Sequence, residues 1–197
     1  MQRLTLPLIL LIALAGCAPK APEATPEEAT RVHVGDPAPA FEGRLMDGTP
    51  FSLEAQRGKV VVLSFFATWC PPCREEIPHL ETEVWQRFQG PNFFLAAVAR
   101  EHEASELGEF ITEMKMTFPV IPDPDRSIFS LFADAFIPRT IIIDPKGTVI
   151  YHGNDFNTEE FAQMVELIEK TVSAASSVSP VDDLSADQQG KEPAATG

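Results

Sequence analysis

Two unbroken apolar runs stand on either side of one amphipathic stretch in the middle of the chain. "GKVVVLSFFA" (58–67) and "NFFLAAVA" (92–99) lack polar alternation, which predicts strands buried on both faces of a sheet. Between them, Ile77, Leu80, Val84 and Phe88 recur at helical spacing, with Glu75, Glu76, Glu81 and Glu83 on the remaining faces. A second helix is predicted from Ser105, a suitable cap, with Leu107, Phe110, Ile111 and Met114 as its apolar stripe. "RTIIIDPKGTVIYHG" reads as two short strands around a Pro-Lys-Gly turn. A last helix follows Asn157-Thr158 and carries Phe161, Met164, Val165 and Ile168. Ahead of all these, "PAPAFEGRLMDGTPFSL" reads as a hairpin turning at Asp47-Gly48. The order is strand, helix, strand, helix, hairpin, helix. It predicts an α/β domain: a central mixed sheet, parallel at its centre and antiparallel at one edge, flanked by helices and preceded by an N-terminal β-hairpin extension.

The ends of the chain differ from this middle. "MQRLTLPLILLIALAGC" has one early charge, Arg3, then an apolar stretch too short to span a bilayer comfortably, then small residues before Cys17. It reads as a signal peptide, and its end resembles the bacterial lipoprotein signal, in which the cysteine is lipidated and becomes the new N-terminus. A plain secretory signal with an incidental Cys17, or an uncleaved anchor, are the alternatives. The lipoprotein reading places the protein in the bacterial cell envelope, held on a membrane through lipid on Cys17 and facing the periplasm. The organisation expected is a signal peptide over 1–17, a flexible Pro/Ala/Glu tether over 18–33, one domain over 34–172 and a disordered tail over 173–197. With 197 residues, 44% of them hydrophobic, the chain can bury a true core. Its net charge of −14 argues against nucleic acid, whose phosphates need clustered Lys and Arg.

Three cysteines then resolve into one anchor and one pair, Cys70 and Cys73 in "TWCPPC". Cys70 falls where a buried strand ends and a helix begins. Pro71 suits the first helical position, because its missing N–H would have had no intrahelical partner. The free amides and the positive end of the helix dipole would favour thiolate at Cys70. Cys73, one turn on, can reach the same sulfur and release a mixed disulfide. A structural disulfide across so short a loop gains little entropy, and a zinc site needs two more ligands, for which His79 alone has no partner at ligand spacing. The reading is a redox couple with no metal and no cofactor: Cys70 attacks and Cys73 resolves.

"SFFATWCPPCREEIPHL" resembles the active-site segment of the thioredoxin superfamily, and within it the membrane-tethered TlpA/ResA-like thiol–disulfide oxidoreductases. The likeness runs from about Val34 to Val172 and includes the leading "VGDPAPAF", which peroxiredoxins share. It implies that Pro78 kinks the active-site helix, that Trp69 covers the site, and that Pro138 in "FIPRTIIID" is a cis-proline exposing the Ile137 backbone to a substrate peptide. Where thioredoxins carry a buried Asp this chain has Ser64, so the resemblance moves the proton carrier to Glu101, expected near the sulfurs with a raised pKa. A solvated Glu101 is the alternative; Arg100 and His102 are read as solvated neighbours without a role.

The same likeness implies a disulfide reductase fed by a transmembrane thiol donor and acting on envelope protein disulfides, apocytochrome c among them. The same parts could run as an oxidase or isomerase. A peroxiredoxin-like peroxidase is the other enzymatic alternative, but its P-x-x-x-T-x-x-C pattern meets Leu63 and Ala67 here. A copper-delivery module of this fold would space its cysteines further apart and add a distant His. Ala18 in place of the retention aspartate leans toward the outer membrane, away from an inner-membrane donor.

Overall fold

The computed structural model describes residues 24–177. The signal peptide, Cys17, the first part of the tether and most of the tail lie outside the described residues. Strand β3 (Val60–Phe66), the first predicted apolar run, is buried along its whole length. It lies at the centre of a five-stranded sheet with β4 (Phe93–Arg100), β5 (Val120–Asp123), β6 (Arg139–Ile143) and β7 (Val149–Asn154), in the order β5-β4-β3-β6-β7. β3, β4 and β5 run parallel, whereas β6 and β7 are antiparallel additions on the other side. The predicted front hairpin forms as β1 (Glu42–Arg44) and β2 (Pro50–Ser52), a separate two-stranded sheet. Its turn takes the expected form: Gly48 has φ +84, and Asp47 Oδ1 accepts the Thr49 amide at 2.9 Å.

Alternation along β3 divides the core in two. Val60, Val62 and Phe66 face the layer made by α1 (Pro71–His79), the π-helical stretch Leu80–Trp85, α3 (Ala104–Glu113) and α5 (Thr158–Ser177). Val61, Leu63 and Phe65 face the other layer, built from α4 (Phe129–Phe132), the front hairpin and the N-terminal segment. There Phe65 packs against Phe129 and Phe132 at ring-centroid distances of 5.6 and 5.1 Å. Gln86–Phe88, a single short turn named α2, completes the long helical segment after α1.

Several features depart from the pattern reading. β5 and α4 were not predicted, because each is short and carries no clear period. Asp123 organises both: its carboxylate accepts the amides of Ile128 and Phe129 and the Ser127 hydroxyl. Helix α3 begins at Ala104 with Glu103 as its cap, rather than at Ser105, and Glu106 returns to accept the Glu103 amide at 2.8 Å. Glu81, placed by pattern on a polar face, is buried and accepts the amide and hydroxyl of Thr117. The segment 24–33, read as solvated tether, is docked on the domain. Ala29 and Val32 are buried, Asp134 donates its amide to Ala29 O at 2.8 Å, and Arg31 donates its amide to Phe132 O at 3.0 Å. A polar-rich composition hid two small apolar residues that suffice to seat a short strap. At the other end α5 runs to Ser177, past the expected boundary at Val172.

Phe65 has no exposed surface and two aromatic neighbours, so truncating it empties the centre of one layer. Phe65→Ala is expected to lower unfolding stability by about 3–5 kcal/mol, measured by urea denaturation.

Candidate active site

The site is built on the junction of β3 and α1. Cys70 is the N-cap residue, in extended backbone at φ −93 and ψ 108, and Pro71 and Pro72 open the helix. The Cys70 sulfur accepts the Cys73 amide at 3.3 Å, so a free helix-terminal N–H points at it as predicted. Cys70 and Cys73 are joined as a disulfide, the oxidised state of the couple. Both are buried, with Cys70 just reaching the surface and Cys73 sealed beneath it. Trp69 beside them is 60% exposed, with the Arg100 guanidinium 5.8 Å from the ring.

Across from the pair, the Ile137–Pro138 peptide is cis, and Ile137 O lies 3.7 Å from the Cys70 sulfur. The cis-proline that the resemblance implied is therefore present beside the cysteines. Pro78 lies inside α1, and the helix passes into its π-helical stretch immediately afterwards, at Leu80. A proline ring cannot donate the i→i−4 bond, so a change of helical register next to it has a local cause.

Glu101 does not carry the role expected of it. It sits in the turn after β4 at φ +63, and its carboxylate pairs with Arg100 at 2.8 Å and with Arg126 at 3.7 Å. The Arg100 hydrogen bond, with the nearby positive charges, holds its pKa below the ordinary carboxylate value rather than above it. An exposed, doubly paired carboxylate remains ionised and is a poor proton carrier near neutrality.

Glu76 occupies the vacant position instead. Even-numbered residues of β3 face α1, so Ser64 points at that helix, and its hydroxyl donates to Glu76 Oε2 at 3.3 Å. Thr140 of β6 donates to Oε1 at 2.7 Å. Burial pushes the pKa of Glu76 up to about 7, with the Asp155 charge adding to the rise and the two hydroxyl bonds and His79 opposing it. Cys73 and Glu76 stand three residues apart on the buried face of one helix, the spacing at which side chains are neighbours. A buried acid thus stands on the helix beside the cysteine pair rather than on the strand. Sequence periodicity assigned Glu76 to a polar face; the signal available was the coincidence of a missing acid at Ser64 with a Glu one turn after Cys73.

His102 departs from the solvated position expected of it. It is buried, its Nε2 accepts the Thr68 amide at 3.1 Å, and it so ties the end of β4 to the loop that carries Trp69 and Cys70.

The thioredoxin-like fold with a Cys-x-x-Cys pair capping the first core helix defines a thiol–disulfide oxidoreductase. Residues 34–152 match the model of the AhpC/TSA family. The chain is 32% identical to the thiol-disulfide oxidoreductase ResA of Geobacillus thermodenitrificans over 145 residues, which cover 74% of this chain and 82% of that one. To the ResA of Bacillus subtilis it is 29% identical over 116 residues, 59% of this chain and 64% of that one. A solution structure from Bacteroides thetaiotaomicron, designated a protein disulfide isomerase, superimposes with a TM-score of 0.72 at 34% identity, covering 74% of this chain and 93% of the other. The chain belongs to the AhpC/TSA family.

Glu76 makes a pH prediction whose sign is determined. Its folded pKa of about 7 exceeds the ordinary 4.5, so the folded state holds this proton more tightly between those values. Stability contributed by the protonated form is complete below about pH 4.5 and is lost as pH rises through 7. Relative to Glu76→Gln, which keeps a polar group for Ser64 and Thr140, the wild-type protein should lose on the order of 3 kcal/mol across that window. Urea denaturation of both proteins at a series of pH values measures the difference.

Proposed function

We propose that the chain reduces protein disulfides on the extracytoplasmic side of a bacterial membrane. The observation that carries this reading is the placement of the Cys70 sulfur, capped by the Cys73 amide and 3.7 Å from the Ile137 carbonyl. In the reduced protein, the Cys70 thiolate attacks one sulfur of a substrate disulfide. A Cys70–substrate disulfide forms and the first substrate thiolate leaves. Cys73 then loses its proton and attacks the Cys70 sulfur; the Cys70–Cys73 disulfide forms and the second substrate thiolate departs. Two electrons pass from the protein to the substrate, and a dithiol donor returns them.

Glu76 is the proton acceptor we assign for Cys73. A group with pKa about 7 exchanges protons readily near neutral pH, and this one stands one turn from the resolving sulfur. Glu76 and Thr140 also line a narrow cavity with Tyr151, Asp155 and Glu160. The Ile137 backbone, beside Cys70, pairs with an extended substrate chain while Trp69 covers the approach. Unfolded or extended polypeptides such as apocytochrome c suit this arrangement, and a transmembrane thiol protein suits the role of donor. Lipid on Cys17 would hold the domain at the membrane. Among the described residues no helix is long and apolar enough to cross one.

Membership of the AhpC/TSA family raises peroxidase chemistry as a second reading. The positions three and seven residues before Cys70 are Ala67 and Leu63, both fully buried and apolar, so neither offers a group to bind peroxide. Direction of exchange, reductase against oxidase or isomerase, follows the potentials of the couple and its donor.

Cys73→Ala should accumulate mixed disulfides between Cys70 and its substrates in cells, separable on non-reducing gels, and Cys70→Ala should accumulate none. The purified protein should reduce insulin and leave hydrogen peroxide almost untouched. Rapid peroxide turnover with no trapped polypeptide would refute the reductase reading.

A further inference from the structure

We propose that Arg139 is a positioning residue for the substrate-facing loop, and that it locks this loop to the N-terminal strap 26–30 so that both work as one polypeptide-binding unit. The proposal rests on disulfide exchange at Cys70 and Cys73.

Arg139 opens β6 directly after Pro138 and has no exposed surface. Buried arginines ordinarily face a carboxylate. Here the hydrogen bonds of the guanidinium, among the described residues, all run to neutral acceptors drawn from three segments. Nε donates to Ala135 O at 3.0 Å and to Phe136 O at 3.1 Å, the two carbonyls just ahead of Ile137. Nη1 donates to Asn154 Oδ1 at 3.1 Å and meets His152 Nε2 at 2.8 Å, both on β7. Burial, with Arg139 itself, lowers the His152 pKa to about 4, so that ring is neutral and can accept. Nη1 also donates to Thr30 Oγ1 at 2.8 Å, and Nη2 to Pro26 O at 2.9 Å, which brings in the strap. The Thr30 hydroxyl in turn donates to Pro26 O at 2.7 Å, so the strap is folded around the guanidinium.

What this fork holds is the backbone that a substrate would meet. Phe136 is in the left-handed region at φ +65, a conformation that a bulky residue adopts only when its surroundings hold it there. The Arg139 bond to its carbonyl is one such constraint. The strap supplies the other, from upstream: Thr30 bridges Ala133, Ala29 O accepts the Asp134 amide, and Arg31 pairs with the Asp134 carboxylate at 2.5 Å. Ile137 O, the next carbonyl along, is the one beside the Cys70 sulfur. Slack in residues 133–136 would therefore be felt where a substrate backbone must dock. A small disulfide has no backbone to dock and needs only the sulfur. Arg139 and the strap should thus govern the preference for polypeptide disulfides over small ones.

Reduced full-length protein, as wild type and as Arg139→Gln, Arg139→Lys and Thr30→Val, is assayed with insulin and with bis(2-hydroxyethyl) disulfide. Arg139→Gln should raise KM for insulin about tenfold, through the loss of several bonds to buried carbonyls, and slow exchange with the small disulfide by no more than about twofold. Arg139→Lys should fail to rescue, because a point charge cannot span the three segments. Thr30→Val should shift KM for insulin in the same direction by about threefold, and it supplies the test if Arg139→Gln does not fold. Equal losses on both disulfides, unchanged insulin kinetics, or full rescue by lysine would each overturn the proposal. Wild-type protein that exchanges with neither disulfide would instead overturn the reductase reading itself.

Discussion

Helix α1 can pack on the central sheet only with its N-terminus at the end of β3, because the strand runs directly into it through residues 67–70. That connection decides the chemistry. It leaves Cys70 as the capping residue, aims the Cys73 amide at its sulfur, and buries the face of α1 that carries Cys73, Glu76 and Ile77. β6, hydrogen-bonded to the other side of β3, brings Ile137 and Pro138 up to the same sulfur and Thr140 up to the same carboxyl. The Cys70 and Cys73 sulfurs, the Glu76 carboxyl and the Ile137 carbonyl are all located by how one helix and one antiparallel strand meet β3.

A sheet covered on both faces admits polar side chains only when they arrive with partners. Among the described residues three buried carboxylates meet that condition, in two different ways. Glu81 takes the amide and hydroxyl of Thr117, and Asp123 takes two amides and a hydroxyl at the start of α4, so each is fastened to backbone. Glu76 has two hydroxyl donors and no backbone amide, and desolvation raises its pKa to about 7. The first two carboxylates hold elements together; the third is left free to change its protonation. Among the described residues, Arg139 is the buried arginine, its acceptors are all neutral, and it stands next to the residue pair that faces Cys70.

Much of this was legible in the residues alone. The unbroken apolar run of β3, the Pro-Lys-Gly and Asp-Gly turns, the helical stripe of α5 and the junction at "TWCPPC" follow from short-range rules of pattern and capping, which operate within a turn or a strand. The position of Cys70 at the start of α1 and the cis form of the Ile137–Pro138 bond agree with what the motif implied. Glu101 and Glu76 differ from their expected surroundings for a physical reason. Position along the chain says that a Glu at a strand end is near the site; only the packed structure shows that Arg100 and Arg126 claim it.

The chain's local patterning determined most of its strands and helices, its hairpin turns and the helix start at its cysteine pair, since each depends on neighbours a few residues apart. Tertiary structure decided which carboxyl is buried, that His102 supports the Trp69 loop, and that residues 24–33 belong to the domain. Those outcomes hang on contacts across wide gaps in sequence, such as Ser64 with Glu76, Thr140 with Glu76, and Pro26 with Arg139. Burial and pairing are properties of the place where distant segments meet, and no periodicity within one segment records them.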